Sequence, residues 1–241
     1  MTTVESSVVK AAGLTTISQV PELCTGDRLT RVEFERRYSA MPNVKKAELI
    51  EGAVYMPSPV SKDHASPQFD IIGWLAFYRF ATPGVEGCDN ATVRLDLENE
   101  PQPDAFLRIA PSCGGRSWNE DKYVAGPPEL IAEVSVSSVS IDLHDKLRAY
   151  QRNGVCEYLV WRVSDSAIDW FALRDGRFER LPPTEAGHYH SAVFPGLWLD
   201  PAALLRGDVV QVLAVLQQGI ASPDHAAFVV RLQAASGRAD S

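Results

Sequence analysis

Residues 129–163 read ELIAEVSVSSVSIDLHDKLRAYQRNGVCEYLVWRV, a strand, a helix and a second strand. Leu130, Ala132, Val134 and Val136 alternate with Glu129, Ile131, Glu133 and Ser135, the period-two pattern of a strand. A helix is expected from about Ile141 to Asn153, closed by Gly154. Val155 to Val163 is the most hydrophobic strand of the chain and belongs at the centre of a sheet.

Working outward, Thr30 and Glu33 form a capping box that opens a short helix through Tyr38. Ala47 to Met56 reads as a hairpin turning at Glu51-Gly52. From Pro67 the spacing turns helical, with Phe69, Ile72, Leu75, Ala76 and Phe80 stopped by Thr82-Pro83-Gly84. Val93, Leu95 and Leu97 suggest a half-buried strand, Asp104 to Ile109 another, and 110–128 a long loop. Asp175-Gly176 joins two strands, Ile168–Leu173 and Arg177–Leu181, as a hairpin. Residues 202–235 are helical and break near Ser222-Pro223. The order implies an α/β fold, a mixed sheet flanked by helices with added hairpins and a C-terminal helical segment. The expected divisions are a loose N-terminal arm (1–28), one main domain (29–204) and a C-terminal helical extension (205–241).

The chain has 241 residues, 45% of them hydrophobic, enough for a core without disulfide or metal staples. A net charge of −8 excludes a broadly basic nucleic-acid coat, though a local basic groove of Lys45, Lys46, Arg116, Lys122 and Arg148 remains compatible with it. The four cysteines (24, 88, 113 and 156) form no C-x-x-C pair, which argues against a zinc knuckle or redox motif. The N-terminus lacks the basic start and apolar run of a signal peptide, and no stretch reaches membrane-spanning length. A cytoplasmic protein of a reducing compartment, without membrane insertion, is expected.

Three residues could carry chemistry together. Asp104 follows Pro103 at the start of a strand, Glu133 sits in an apolar strand, and Lys146 stands on the helix leaving that strand. A carboxylate in such a strand is costly unless it is paired, hydrogen-bonded or bound to a cation. Two carboxylates and a strand carbonyl make a hard oxygen site for Mg²⁺ or Mn²⁺, and a lysine beside it can stabilise charge at a phosphoryl group. Plainer readings compete: a structural ion pair for Glu133, an i,i+4 surface pair for Lys146 with Asp142, a turn cap for Asp104, and a solvated position for Glu48.

These residues resemble the PD-(D/E)xK nuclease superfamily, and more closely the bacterial Uma-type family of putative restriction endonucleases. The resemblance is carried by Glu48-Leu49-Ile50-Glu51-Gly52, Asp63-His64, Pro103-Asp104, Glu133-Val134-Ser135, Asp142 with Lys146 and Tyr150, Gly154-Val155-Cys156-Glu157-Tyr158 and Phe194-Pro195-Gly196-Leu197. It spans roughly Thr30 to Leu204. It implies a restriction-endonuclease-like fold and a Mg²⁺- or Mn²⁺-dependent endonuclease acting on DNA. Asp104 and Glu133 would be metal ligands, with Glu48 an additional acidic ligand. Lys146 would be a migrated catalytic lysine, since Ser135 occupies the usual place two residues after Glu133. Where the family has Ser-Pro-Ser after this strand, the chain has Val136-Ser137-Ser138. The rival class is a catalytically silent nuclease-fold protein binding nucleic acid or a protein partner; an enzyme acting on another phosphate ester is a third.

Other signals are weaker. His188 and His190 share a strand face without a further ligand at metal spacing, and Cys113-Gly114-Gly115-Arg116 lacks the ending of a phosphate-binding loop. The apolar 202–220 segment and the hairpins suggest a homodimer.

Overall fold

The computed structural model describes residues 20–239. In chain order the elements begin α1 (Arg31–Ser39), β1 (Glu48–Ile50), β2 (Ala53–Tyr55), α2 (Lys62–Ala81), β3 (Val85–Asp89), β4 (Val93–Arg94) and β5 (Ala105–Ile109). Next come β6 (Trp118–Glu120), β7 (Tyr123–Ala125) and β8 (Leu130–Ser135), then a π-helical turn, Ile141–Lys146, running into α3 (Leu147–Asn153). The remainder is β9 (Glu157–Arg162), β10 (Ala167–Arg174), β11 (Arg177–Arg180), β12 (Tyr189–His190), β13 (Trp198–Leu199), α4 (Pro201–Leu205), α5 (Val209–Ile220) and α6 (Pro223–Ala239).

The main sheet has the order β11-β10-β9-β8-β5-β3. β8 and β9 are parallel, as the intervening helix requires, and the other pairings are antiparallel. The fold is therefore the expected α/β mixed sheet between helices, with the apolar β9 inside it. One face packs Ala105, Leu107, Leu130, Ala132, Val134, Leu159 and Trp161 against Ile71, Trp74, Leu75 and Tyr78 of α2. Residues beyond 204, read as an extension, supply Val212, Leu216, Phe228 and Leu232 to this same cluster. The other face packs Phe106, Ile131, Tyr158 and Val160 against Tyr150 of α3 and Val93 and Val124 of β4 and β7. A smaller cluster of Leu23, Phe34, Ala47, Leu49 and Val54 ties α1 to the first hairpin.

Several elements depart from expectation. α2 starts at Lys62, five residues before Pro67, which lies inside the helix. Its first turn is polar and exposed, so no apolar period announces it. The expected strand over 93–97 is paired only at Val93–Arg94, and Leu97 is exposed. The expected long loop contains the β6–β7 hairpin, and β3 is an edge strand that its sequence, VEGCD, does not advertise. Of the expected loose arm, residues 1–19 lie outside the described residues. Residues 20–28 are held: Leu23 is buried, and the amide of Gly26 donates to the carbonyl of Val54 at 2.8 Å.

Candidate functional site

β5 and β8 run antiparallel with Ala105 opposite Ala132 and Phe106 opposite Ile131. One step further along this register, Asp104 faces Glu133, on the side of the sheet that α3 covers. The amide of Asp104 donates to Glu133 Oε2 at 3.4 Å, and the amide of Val134 donates to Asp104 Oδ2 at 2.8 Å. The π-helical turn then returns Lys146 over Glu133: its Nζ donates to Oε1 at 2.9 Å. Tyr150, four residues on, donates its hydroxyl to the same oxygen at 2.9 Å. Glu48 comes in from β1, with Oε1 3.2 Å from Lys146 Nζ and accepting from the amide of Gln102 at 2.7 Å. Asp142 completes the set, with Oδ1 3.6 Å from Lys146 Nζ.

Glu48, Asp104, Glu133 and Lys146, the four residues singled out from sequence, thus converge, and all are more than nine-tenths buried. Three residues outside that set of four also reach Asp104. His64 Nε2 lies 3.4 Å and Lys46 Nζ 3.7 Å from Oδ1, while Gln68 donates to the Asp104 carbonyl at 3.2 Å. Of the candidate basic residues, Lys46 is the one that touches the cluster. Arg116 binds the Gly154 carbonyl, Lys122 lies over the Tyr123 ring and Arg148 pairs with Asp145. The four-residue spacing of Asp142, Lys146 and Tyr150 was the available sign that Tyr150 joins the site rather than only packing.

The electrostatics separate the two central acids. Burial, reinforced by Asp104, Asp142 and Glu48, pushes the Glu133 carboxyl up to about 8 despite Lys146. Burial would raise Asp104 as well, but the His64 hydrogen bond and the charges of Lys46 and Lys146 outweigh it and hold the carboxyl below its usual range. Burial opposes a charged Lys146, yet Glu133, Glu48 and Asp142 prevail and keep the ammonium protonated. His64 is raised by its hydrogen bond to Asp104.

Among the described residues, no three His, Cys, Asp or Glu side chains form a ready-made metal cage. Lys146 Nζ instead occupies the space between Glu48, Glu133 and Asp142. The donor set nevertheless fits a hard divalent cation. Glu133 Oε2 and Asp104 Oδ1, on the two facing residues, have only long contacts, at 3.4 Å or more. Mg²⁺ characteristically takes one or two carboxylates and completes its shell with water and phosphate. Of the two histidines on one strand face, His190 stacks on Trp198, and His188 is 3.9 Å from Asp200.

Residues 31–202, most of the chain, match the family model Uma2, described as "Putative restriction endonuclease". The chain belongs to the Uma2 family. No curated protein matches it. Among solved structures it is similar to a putative nuclease belonging to DUF820 from Anabaena variabilis, with a TM-score of 0.51 and 12% identity. That match covers 70% of this chain and 97% of the other, a likeness of fold. The family description is that of a nuclease. Among the described residues, no helix is long and apolar enough to cross a membrane.

Proposed function

We propose that this Uma2 protein is a metal-dependent endonuclease hydrolysing phosphodiester bonds in DNA, with Mg²⁺ or Mn²⁺ as cofactor. The observation that carries the reading is the contact of Lys146 Nζ with Glu133 at 2.9 Å, with Asp104 in register beside Glu133. Asp104 and Glu133 would hold the ion, and Glu48 is the third acid within reach of the same lysine. Bound there, the ion would polarise a phosphoryl oxygen and acidify an attacking water. Lys146 supplies a fixed positive charge in a water-poor site, where it stabilises the charge that builds on the phosphoryl oxygens. Lys46 and His64, on the Asp104 side, give a net acidic chain a local positive approach for a phosphate backbone.

The test is nicking of supercoiled DNA in Mg²⁺ or Mn²⁺ by wild type and Glu133→Gln. The variant keeps the shape and loses a charged ligand, so cleavage should fall by orders of magnitude. Equal cleavage by both would assign the activity to another site or a contaminant. No cleavage by the wild type would leave the silent binding protein as the reading.

Two cuts in a duplex are simplest with two sites, so the proposal extends to a homodimer. Of the C-terminal apolar residues expected to support it, Val212, Leu216, Phe228 and Leu232 are spent on the chain's own core, while Val209, Val210 and Val230 are exposed, as are Phe69, Phe77 and Phe80 of α2. Sedimentation at micromolar concentration should show twice the 26.4 kDa chain mass, and a monomer alone would remove this extension.

A further inference from the structure

In the nuclease pattern that the chain resembles, the lysine stands two residues after the strand acid; here that position is Ser135, and the lysine comes from the following helix. The structure shows what occupies the vacated place. Ser135 Oγ donates to Asp142 Oδ2, and Ser138 Oγ donates to the same oxygen at 2.6 Å. Asp142 Oδ1 is thereby left facing Lys146 Nζ at 3.6 Å. The two oxygens of one buried carboxylate are divided: one is fastened to the end of the strand, the other lies against the lysine.

The backbone around Asp142 is fixed as well. Its amide donates to the Ser138 carbonyl at 2.9 Å, and its carbonyl accepts from the Tyr158 hydroxyl at 3.1 Å. Tyr158 belongs to β9, the strand paired in parallel with β8, so Asp142 is tied to both strands of the βαβ unit. The π-helical winding of Ile141–Lys146 presents Asp142 and Lys146 to the same sheet face. Such turns are rare and are frequent at functional sites. An ordinary surface i,i+4 pair has none of these features: it is solvated and held by one contact.

We infer that Asp142, clamped by Ser135 and Ser138, is a positioning residue that aims the migrated Lys146 at Glu133. This rests on the nuclease reading for its catalytic consequence, but not for its geometry. A long, rotatable lysine chain reaching back from a helix must be confined to act as a strand lysine would, because electrostatic stabilisation depends on preorganisation. Glu133 and Glu48 attract the ammonium from the sheet and hairpin sides; Asp142 fixes it from its own helix. Asp142 does not touch the reacting phosphate in this arrangement; it acts through Lys146.

The experiment compares wild type, Asp142→Asn and the double variant Ser135→Ala with Ser138→Ala, which keeps Asp142 but frees it. In metal-free protein labelled with ¹⁵N-lysine, the ammonium signal that disappears in Lys146→Arg identifies Lys146. It should be sharp in wild type and shifted or exchange-broadened in both test variants. In plasmid nicking with Mg²⁺, kcat should fall about 10- to 100-fold with KM and Mn²⁺ affinity little changed, the size common for residues that orient a catalytic group. An unmoved Lys146 signal in both test variants, or unaltered kcat in a wild type that cleaves, would overturn the assignment. Should the wild type cleave nothing, the nuclease reading falls, while a Lys146 signal lost in the variants would still support the placement.

Discussion

Tyr150 and Lys146 donate to one and the same oxygen of Glu133, each at 2.9 Å. The two donors stand four residues apart, at the end of the π-helical turn and on the α-helix that continues it, so a single helical face supplies both. Tyr150 also packs edge-on against Tyr158 at 4.9 Å, which separates its ring from its hydroxyl as sources of stability.

Tyr150→Phe should keep the ring contact and remove only the hydroxyl. The oxygen keeps Lys146 as a donor, so the loss is that of one hydrogen bond, about 0.5–1.5 kcal/mol. The variant should therefore unfold at lower denaturant with an unchanged m-value. Coincident unfolding curves would mean that Glu133 does not depend on this hydrogen bond.

The strands that positioned this site were legible for physical reasons. β8 and β9 are apolar enough to be interior, and Asp175-Gly176 must be a tight turn because both residues adopt positive φ, 49° and 77°. Glu133 stood out because a charge in an apolar strand demands a partner. What stayed hidden depends on neighbours brought together by the sheet. β3 is recognisable only as the strand that pairs with β5, and the hairpin between Trp118 and Ala125 has strands too short to show a period. Likewise, nothing in the order of residues says that Ser135 and Ser138 grip Asp142, or that the Gln102 amide is the one that Glu48 accepts. Helical spacing placed Lys146 beside Asp142, but the register between β5 and β8 decides that Glu133, which Lys146 meets, lies opposite Asp104.

Away from this cluster, Glu100 is buried against Glu35. Burial first, and the Glu35 hydrogen bond second, push its carboxyl up to about 8 from the ordinary 4.5. Between those values the folded chain holds a proton that the unfolded chain has released. Its stabilising contribution is thus complete below pH 4.5 and is lost as pH rises towards 8. Glu100→Gln mimics the protonated side chain, so the fall of Tm from pH 5 to 9 should be shallower by about one proton's worth. The raised Glu133 carboxyl contributes a similar fall in both proteins and does not blur the difference. Parallel Tm profiles would show that Glu100 gives up its proton without cost to the fold.

Lys146→Ala is the sharpest test of what the lysine is for. The ammonium sits between Glu48, Glu133 and Asp142, all buried, so its removal leaves a buried acidic cluster without its cation. Breaking a buried pair from one side costs about 3–5 kcal/mol. Metal-free Lys146→Ala should accordingly melt well below wild type. The same loss opens the acidic cluster to a cation, so millimolar Mn²⁺ should raise the variant's Tm by more than it raises that of wild type, through binding to the folded state alone. Cleavage should nevertheless remain far below wild type, because an ion that restores the fold does not replace the ammonium beside the phosphoryl oxygens. A helix-surface lysine would behave differently on all three counts: a loss of a few tenths of a kcal/mol, an ordinary Mn²⁺ response and intact activity. Melting curves with and without Mn²⁺, beside the nicking assay, distinguish the two outcomes, and a variant that melts with wild type would sink the buried-cluster account of Lys146.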